Sequence, residues 1–301
     1  MTTEPLFPIR MIALDIDGTI IGDDGVIGPR TRAAVAVAVE RGIAVSLVTG
    51  RMVSSAMRFA RELGLRDPVV GYQGGLIRAM PPPGSVRLGR LLSHTAIAAD
   101  TARDVVAWTR QQGLDPHLNH LERFILRADD PKADDYSAFM GAHAELVPDL
   151  AAAIAHPITK VLAVGDPPLP IEMAERAQAA FAGRADVTIS HPRFLEFVAP
   201  GVSKGRALRF LARRGRVPLG SVLAVGDQWN DLDMLAVAGH GAAMPSAPAR
   251  VRAAARYVAP PLEDEGAGWM IEALALAPVE RAASTAARLA AEAIERRSVP
   301  A

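Results

Sequence analysis

The sequence predicts an α/β fold, a doubly wound parallel sheet interrupted by an inserted α+β domain. Three observations carry this reading. Apolar runs of strand length, MIALDID from Met11, IAVSLVTG from Ile43 and SVLAVGD from Ser221, have the pattern of strands buried on both faces. Helical stretches alternate with these runs at a spacing that implies right-handed crossovers. Between about Val86 and about Ile189 that rhythm gives way to an irregular mixture of strands and helices, and it resumes at Val202.

MIALDID comes first, an apolar run that closes on carboxylates. Gly18, Gly22 and Gly25 then punctuate a tight turn and a short hairpin around Asp23-Asp24-Gly25. In GPRTRAAVAVAVERG the residues Val35, Val37 and Val39 alternate as in a strand, but the alanines, Pro29 at the start and Gly42 after the end predict a helix. IAVSLVTG is the second strand, RMVSSAMRFARELG a helix closed by Gly64, and DPVVGYQGG a third short strand. The prolines of Met80-Pro81-Pro82-Pro83-Gly84 can continue neither a helix nor a central strand, so this segment is expected to be a stiff linker into the insert.

Within the insert, helices are predicted around Ala96–Gln112, Asp134–Ala142 and Pro170–Ala182. Strands are predicted near Leu88, Leu118–Leu126, Thr159–Val164 and Val187–Ile189. After it, KGRALRFLARRG reads as a helix, SVLAVGD as a fourth buried strand and NDLDMLAVAG as a helix closed by glycine. The tail PVERAASTAARLAAEAIERR, from Pro278, is an alanine-rich amphipathic helix expected to pack on its own core. The expected organisation is core 1–80, insert 81–192, core again 193–277 and helical tail 278–301.

Composition narrows the function classes. At 301 residues the chain exceeds the usual single-domain size, and its 50% hydrophobic content suits ordinary buried cores. Lys+Arg and Asp+Glu balance at 33 each, which lacks the basic excess of a nucleic-acid binder. With no cysteine, disulfide scaffolds, Cys-ligated zinc, iron–sulfur clusters and thiol catalysis are excluded. No run is apolar for long enough to span a membrane, and MTTEPLFPIRMIALDID lacks the pattern of a signal peptide, so a cytoplasmic location is expected.

Four places gather chemistry. Asp15-Ile16-Asp17-Gly18-Thr19 ends an apolar strand, where charge is costly unless paired or bound to a cation. Residues two apart on a strand face the same way, so Asp15 and Asp17 can address one point; an acidic turn held by Asx hydrogen bonds is the plainer alternative. Gly226-Asp227-Gln228-Trp229-Asn230-Asp231 again closes an apolar strand on carboxylates, either as helix caps or as a third carboxylate for a hard cation. Thr49-Gly50-Arg51 offers a hydroxyl and free backbone N–H groups before a helix, a natural phosphate cradle. Lys204, in Gly201-Val202-Ser203-Lys204-Gly205, opens another helix. All four fall on the side where such sheets bind ligands. No G-x-G-x-x-G follows the first strand and no G-x-x-x-x-G-K-[ST] occurs, so dinucleotide and P-loop nucleotide chemistry are poorly supported. His117 and His120, three apart on an expected strand, point to opposite faces and do not form a metal pair.

These residues, in this order, resemble the haloacid dehalogenase-like phosphatase superfamily: DxDGT at Asp15–Thr19, Thr49, Lys204 and GDxxND at Gly226–Asp231. GVSKG, GDQWNDLDM and the insert between Gln73 and Lys204 resemble its Cof-type branch, over roughly Arg10 to Leu274. Two stretches depart from that pattern. Gln73-Gly74-Gly75 stands where many members have Asn-Gly-Ala, and Met244-Pro245-Ser246-Ala247 where Met-Gly-Asn-Ala is typical.

The resemblance implies a Rossmann-like core with an α+β cap and a Mg²⁺-dependent phosphatase acting on a small phosphorylated metabolite. It makes Asp15 the nucleophile and Asp17 the acid and base. It places Mg²⁺ on Asp15, Asp227 and the backbone carbonyl of Asp17. Thr49, Gly50, Lys204 and Asn230 would hold the phosphate, and Asp231 would orient Lys204 and the ligands. Pro81–Gly84 would be one hinge of the cap. The alternatives are a phosphomutase or phosphotransferase on the same site, and a non-enzymatic phospho-accepting regulator.

Overall fold

The computed structural model describes residues 3–298 other than 131, 141 and 142. The chain opens with β1 (Met11–Leu14), α1 (Pro29–Glu40), β2 (Ala44–Leu47), α2 (Val53–Glu62), β3 (Val69–Gly71), β4 (Leu76–Arg78) and β5 (Leu91–His94). The insert follows with α3 (Ala99–Gln111), β6 (Asp115–His120), β7 (Arg123–Arg127), α4 (Ala133–Met140), β8 (Ala144–Val147) and α5 (Leu150–Ala153). It continues through β9 (Lys160–Val164), α6 (Ile171–Ala180), β10 (Asp186–His191) and β11 (Phe194–Val198). The chain then forms α7 (Lys204–Gly215), β12 (Val222–Gly226), α8 (Leu232–Val237), β13 (His240–Ala243), α9 (Ala249–Ala254), β14 (Tyr257–Val258), α10 (Gly266–Met270) and α11 (Val279–Ser298).

The core is a parallel sheet in the order β14-β13-β12-β1-β2. Central β1 pairs with β12 and β2 in register, Ala13 lying opposite Ala224 on one side and Ser46 on the other. Alternation along β1 explains the double winding. Ile12 and Leu14 enter one apolar cluster with residues of α1, α2 and α10, while Met11 and Ala13 enter another with residues of α7, α8 and α9. Each fully buried aliphatic side chain contributes about 1.5–3 kcal/mol, so a strand apolar on both faces is fixed at the centre. Helix α1 forms as expected, with Pro29 in its first turn and Ala34, Val35 and Ala38 buried. Its first N–H groups, on Arg30 and Thr31, donate to the Glu265 carboxylate at 3.1 and 2.7 Å, a cap supplied from far along the chain. Helix α11 buries Ala282, Ala286 and Leu289, the last two in the same cluster as β1. Residues 299–301 of the expected tail lie outside the described residues.

The insert is a six-stranded sheet in the order β10-β11-β9-β6-β7-β8, antiparallel except for β7 with β8. One face, with Leu118, Ile125, Val161, Ala163, Leu195 and Phe197, packs on residues of α3, α5 and α6. The opposite face carries Asn119, Lys160 and Glu196. Part of it reaches the core, since Lys160 Nζ donates to the Gly50 carbonyl at 2.9 Å.

Several expectations change. The Pro81–Gly84 segment is the loop of the β4–β5 hairpin, and Arg61 of α2 hydrogen-bonds the nearby Ser85 and Arg87 carbonyls. Because β5 pairs with β4, this loop is not itself the link to the insert's sheet; the links to that sheet fall after His94 and after Val198. A boundary at 192 would cut the β10–β11 hairpin, whose pairing runs on to Val198. The single strand expected over Leu118–Leu126 is two, β6 and β7, reversed at Leu121, whose φ is 53°. Near Leu88 there is no strand; the pairing residues are Leu91–His94. β8, α5 and β11 form where the sequence predicts no element, and Gly141 and Ala142 of an expected helix lie outside the described residues.

Candidate active site

The site forms where β1 and β12 end side by side. β1 stops at Leu14, so Asp15 and Asp17 sit in the following turn rather than on the strand, and the two-residue facing rule no longer applies. The Asp15 side chain is 7% exposed, whereas that of Asp17 is 52% exposed and turns to a two-pronged ion pair with Arg51, its Nε at 2.7 Å. Asp15, Asp227 and Asp231 instead cluster, with one oxygen of each within 4.8 Å of the others.

Lys204 closes this cluster. Ser203 caps α7 by accepting from Arg206 N, which places Lys204 on the first turn. Its side chain is wholly buried, with Nζ 2.9 Å from Asp15 Oδ1 and 2.7 Å from Asp231 Oδ1. Burial alone would lower the Lys204 ammonium, but the charges of Asp15 and Asp231 override it and hold it above its ordinary value. The second oxygen of Asp231 accepts from the N–H groups of Asp227 and Gln228, both at 3.0 Å. Asp231 is therefore engaged on both sides and positions its neighbours.

Asp15 and Asp227 are less satisfied. Desolvation, then the Asp231 charge, pushes Asp15 up to about 7 against the opposing pull of Lys204. Desolvation, then the Asp15 and Asp231 charges, pushes Asp227 up to about 8. Among the described residues, only Thr19 Oγ1, at 3.3 Å, donates a side-chain hydrogen bond to Asp227. Three buried carboxylates facing one ammonium leave surplus negative charge. Hard oxygen donors with such a surplus are what a divalent cation takes, so the donor set fits a metal. Two glycines make the crowding possible. A Cβ at Gly18, which has φ +71°, would lie 2.3 Å from Asp227 Oδ2, and one at Gly226 would lie 2.4 Å from Asp231 Cγ.

A cleft of about 1050 Å³ opens above this floor, lined by Asp15, Thr49 and Asp227 from the core and by Lys160, His191 and Glu196 from the insert. Thr49 is buried, and its Oγ1 accepts from Arg51 N at 3.2 Å. The first helical residue is Val53, so Thr49 and Gly50 occupy the loop before α2. Asn230 Nδ2 donates to Gln73 Oε1 at 2.9 Å, and Gln73 Nε2 donates to Glu196 Oε2 at 2.9 Å. Glu196 also accepts from Ser190 at 2.5 Å and pairs with Lys160 at 3.1 Å.

Sequence reasoning missed Lys160, Glu196, Ser190 and the bridging role of Gln73. Signals existed: FLEFV carries one charge inside an apolar run, and KVLAV begins with a lysine that folding buries. His117 and His120 do separate as expected, His117 meeting Tyr136 edge to face with ring centroids 4.3 Å apart and His120 lying 5.8 Å from His94.

A fold of this kind, with a carboxylate–lysine floor under an inserted sheet, matches known proteins along most of its length. Residues 12–271 match the family model of the haloacid dehalogenase-like hydrolases. The chain is 30% identical over 242 residues to an HMP-PP phosphatase of Serratia proteamaculans, covering 79% of this chain and 84% of that protein. It is 24% identical over 290 residues to a 5-amino-6-(5-phospho-D-ribitylamino)uracil phosphatase of Bacillus subtilis, covering 88% and 98%. A haloacid dehalogenase-like hydrolase from Bacteroides thetaiotaomicron superposes with a TM-score of 0.75 at 25% identity, covering 88% of this chain and 99% of that one. The chain belongs to the haloacid dehalogenase-like hydrolases, in their Cof-type branch. It is a phosphatase of that family. None of its described helices is long and apolar enough to cross a membrane.

Proposed function

We propose that the protein hydrolyses a small phosphomonoester, a sugar phosphate or a phosphorylated cofactor or metabolite, through a phosphorylated Asp15. The observation that carries this reading is the Asp15 carboxylate on the cleft floor, 2.9 Å from the buried Lys204 ammonium. The family relatives named as phosphatases support it. Mg²⁺ held by Asp15, Asp227 and the Asp17 backbone carbonyl would offset the repulsion between a carboxylate and a phosphate dianion.

Lys204 supplies a fixed positive charge beside the attacking oxygen. Thr49, the Gly50 backbone and Asn230 hold the phosphoryl oxygens so that an Asp15 oxygen lies in line with the scissile P–O bond. Asp15 bonds to phosphorus as that bond breaks, and the leaving oxygen takes a proton from Asp17. Asp17 then accepts a proton from the water that attacks phosphorus, releasing phosphate and regenerating Asp15. To carry a proton, Asp17 must release Arg51, which leaves that guanidinium free to meet the phosphoryl oxygens. Lys160, Ser190, His191 and Glu196 meet the leaving group from above, and the insert excludes water from the first step.

The test is phosphate release from a panel of small phosphomonoesters, with and without Mg²⁺, for the native protein and Asp15→Asn. Metal-dependent release that disappears in the variant is the expected result. Release retained by Asp15→Asn, or undiminished by a chelator, overturns the mechanism. A reaction that needs a sugar acceptor identifies a phosphotransferase instead.

A further inference from the structure

Outside the cleft, one group of side chains is arranged for a ligand that the phosphatase reaction does not use. Asp115 and His117 alternate on β6 and so share a face, and Asp130 follows the neighbouring strand β7. Nε2 of His117 lies 3.4 Å from Asp115 Oδ2 and 3.8 Å from Asp130 Oδ2. The His117 and Asp130 side chains are 0% and 3% exposed, whereas that of Asp115 is 35% exposed and opens the group to solvent on one side.

The hydrogen bonds among these groups do not close. Asp130 Oδ1 accepts from Lys132 N at 2.8 Å, but Oδ2, buried and aimed at the imidazole, meets no donor; it can pair with the neighbouring Asp115 carboxylate only by holding a proton, and His117 Nδ1 is unpartnered as well. One imidazole N–H cannot serve two carboxylates, and an orphaned buried carboxylate oxygen is costly. A cation between the three atoms satisfies all of them. With bonds of about 2.0–2.2 Å, tetrahedral coordination sets ligand atoms roughly 3.3–3.6 Å apart, close to the separations His117 already shows.

We propose that Asp115, His117 and Asp130 form a second cation site, in the insert, for a borderline divalent metal of the Zn²⁺ class. The imidazole distinguishes it from the all-oxygen floor of the cleft, because nitrogen ligation suits Zn²⁺ and its neighbours whereas Mg²⁺ keeps to oxygen. Water completes the coordination through the open side beside Asp115. The ion ties β6 to the segment after β7, which leads into α4, whose Tyr136 ring already lies 4.3 Å from that of His117.

The experiment is a Zn²⁺ titration of the full-length protein in competition with a chromophoric chelator, with excess Mg²⁺ present to occupy all-oxygen sites. One tight equivalent is expected for the native protein and for Asp15→Asn, and its loss in His117→Gln and Asp130→Asn. Co²⁺ in the same place should give the visible absorption of a four-coordinate nitrogen–oxygen site. The native protein failing to bind an equivalent, or an equivalent surviving His117→Gln, overturns the proposal. Should His117→Gln fail to fold by circular dichroism, Asp115→Asn replaces it and is expected to weaken binding at least tenfold. None of these readouts involves phosphate release, so this site and the reaction stand or fall separately.

Discussion

Two buried charge clusters face each other across the cleft, and they differ in how well they are satisfied. On the core floor, Lys204 pairs with Asp15 and Asp231 while Asp227 lies beside them without an ion pair, and burial pushes Asp15 up to about 7 and Asp227 up to about 8. On the insert side, Lys160 meets a single carboxylate, Glu196, which also accepts from Ser190 and Gln73. The upper cluster is neutral and hydrogen-bonded throughout, as a buried ion pair must be to persist. The lower one is an open charge account that a cation and a phosphate would close. Burial of charge therefore does not by itself set the two clusters apart; burial with surplus does.

The largest expected effect tests that contrast directly. Asp15→Asn should lower kcat by roughly 10⁴-fold or more in a phosphate-release assay, as loss of a nucleophile does. The melting temperature should hold or rise, because the change removes one of three mutually repelling carboxylates. A variant that loses activity because it unfolds would break the comparison.

Next comes the sign of stability changes on the floor. Lys204→Met strands Asp15 and Asp231 in a buried setting and should cost roughly 3–5 kcal/mol in urea unfolding. Asp227→Asn should leave stability unchanged or improved while abolishing the response to Mg²⁺. Equal destabilisation by both substitutions would show that the floor carries no surplus charge.

What the sequence revealed follows the same division. The four motif positions were legible because each couples a strand end or helix start to a charged or hydroxyl side chain, a local pattern. The parallel core was legible for a similar reason, since β1, β2 and β12 are apolar on both faces. Asp17 misled because the strand stops at Leu14, and the parity rule holds only inside a strand. The proline run misled as a linker because composition marks a rigid segment without saying that a hairpin contains it. Lys160, Glu196 and Gln73 were hidden by distance: Gln73 and Glu196 are 123 residues apart and meet only after the insert folds onto the core. The Glu265 cap on α1, 234 residues from Thr31, is hidden in the same way.

A third buried ionisable group gives a control away from the cleft. His240 in β13 lies between the Tyr257 hydroxyl and the Leu6 carbonyl, each at 3.1 Å, with no counter-charge bonded to it among the described residues. Burial pulls it down to about 4 from the ordinary 6.5, with the Leu6 carbonyl opposing. The fold prefers the neutral ring, so this contribution is whole above pH 6.5 and is lost as pH falls from 6.5 to about 4. The loss amounts to about 3 kcal/mol over that window. Urea midpoints of the native protein and His240→Leu, compared at neutral pH and at the lower end of that window, check it. The variant should show a shallower fall, and an identical slope would remove His240 as the cause.

The smallest expected effect belongs to the upper cluster. Lys160→Met leaves Glu196 with its Ser190 and Gln73 donors, so the stability cost should be nearer 1–2 kcal/mol than the Lys204 value. Lys160 also ties the insert to the Gly50 carbonyl beside Thr49, and in the proposed reaction its contact with the leaving group is made before and during the step alike. Such uniform binding appears in KM rather than kcat. The expected result is a KM raised by about tenfold, equivalent to roughly 1.4 kcal/mol, with kcat nearly unchanged and with the size of the rise depending on the leaving group. Steady-state kinetics on two substrates sharing the phosphate but differing in the leaving group would show it. A fall in kcat with KM unchanged would instead move Lys160 into the group that acts on the transition state, and the separation between floor and roof would no longer hold.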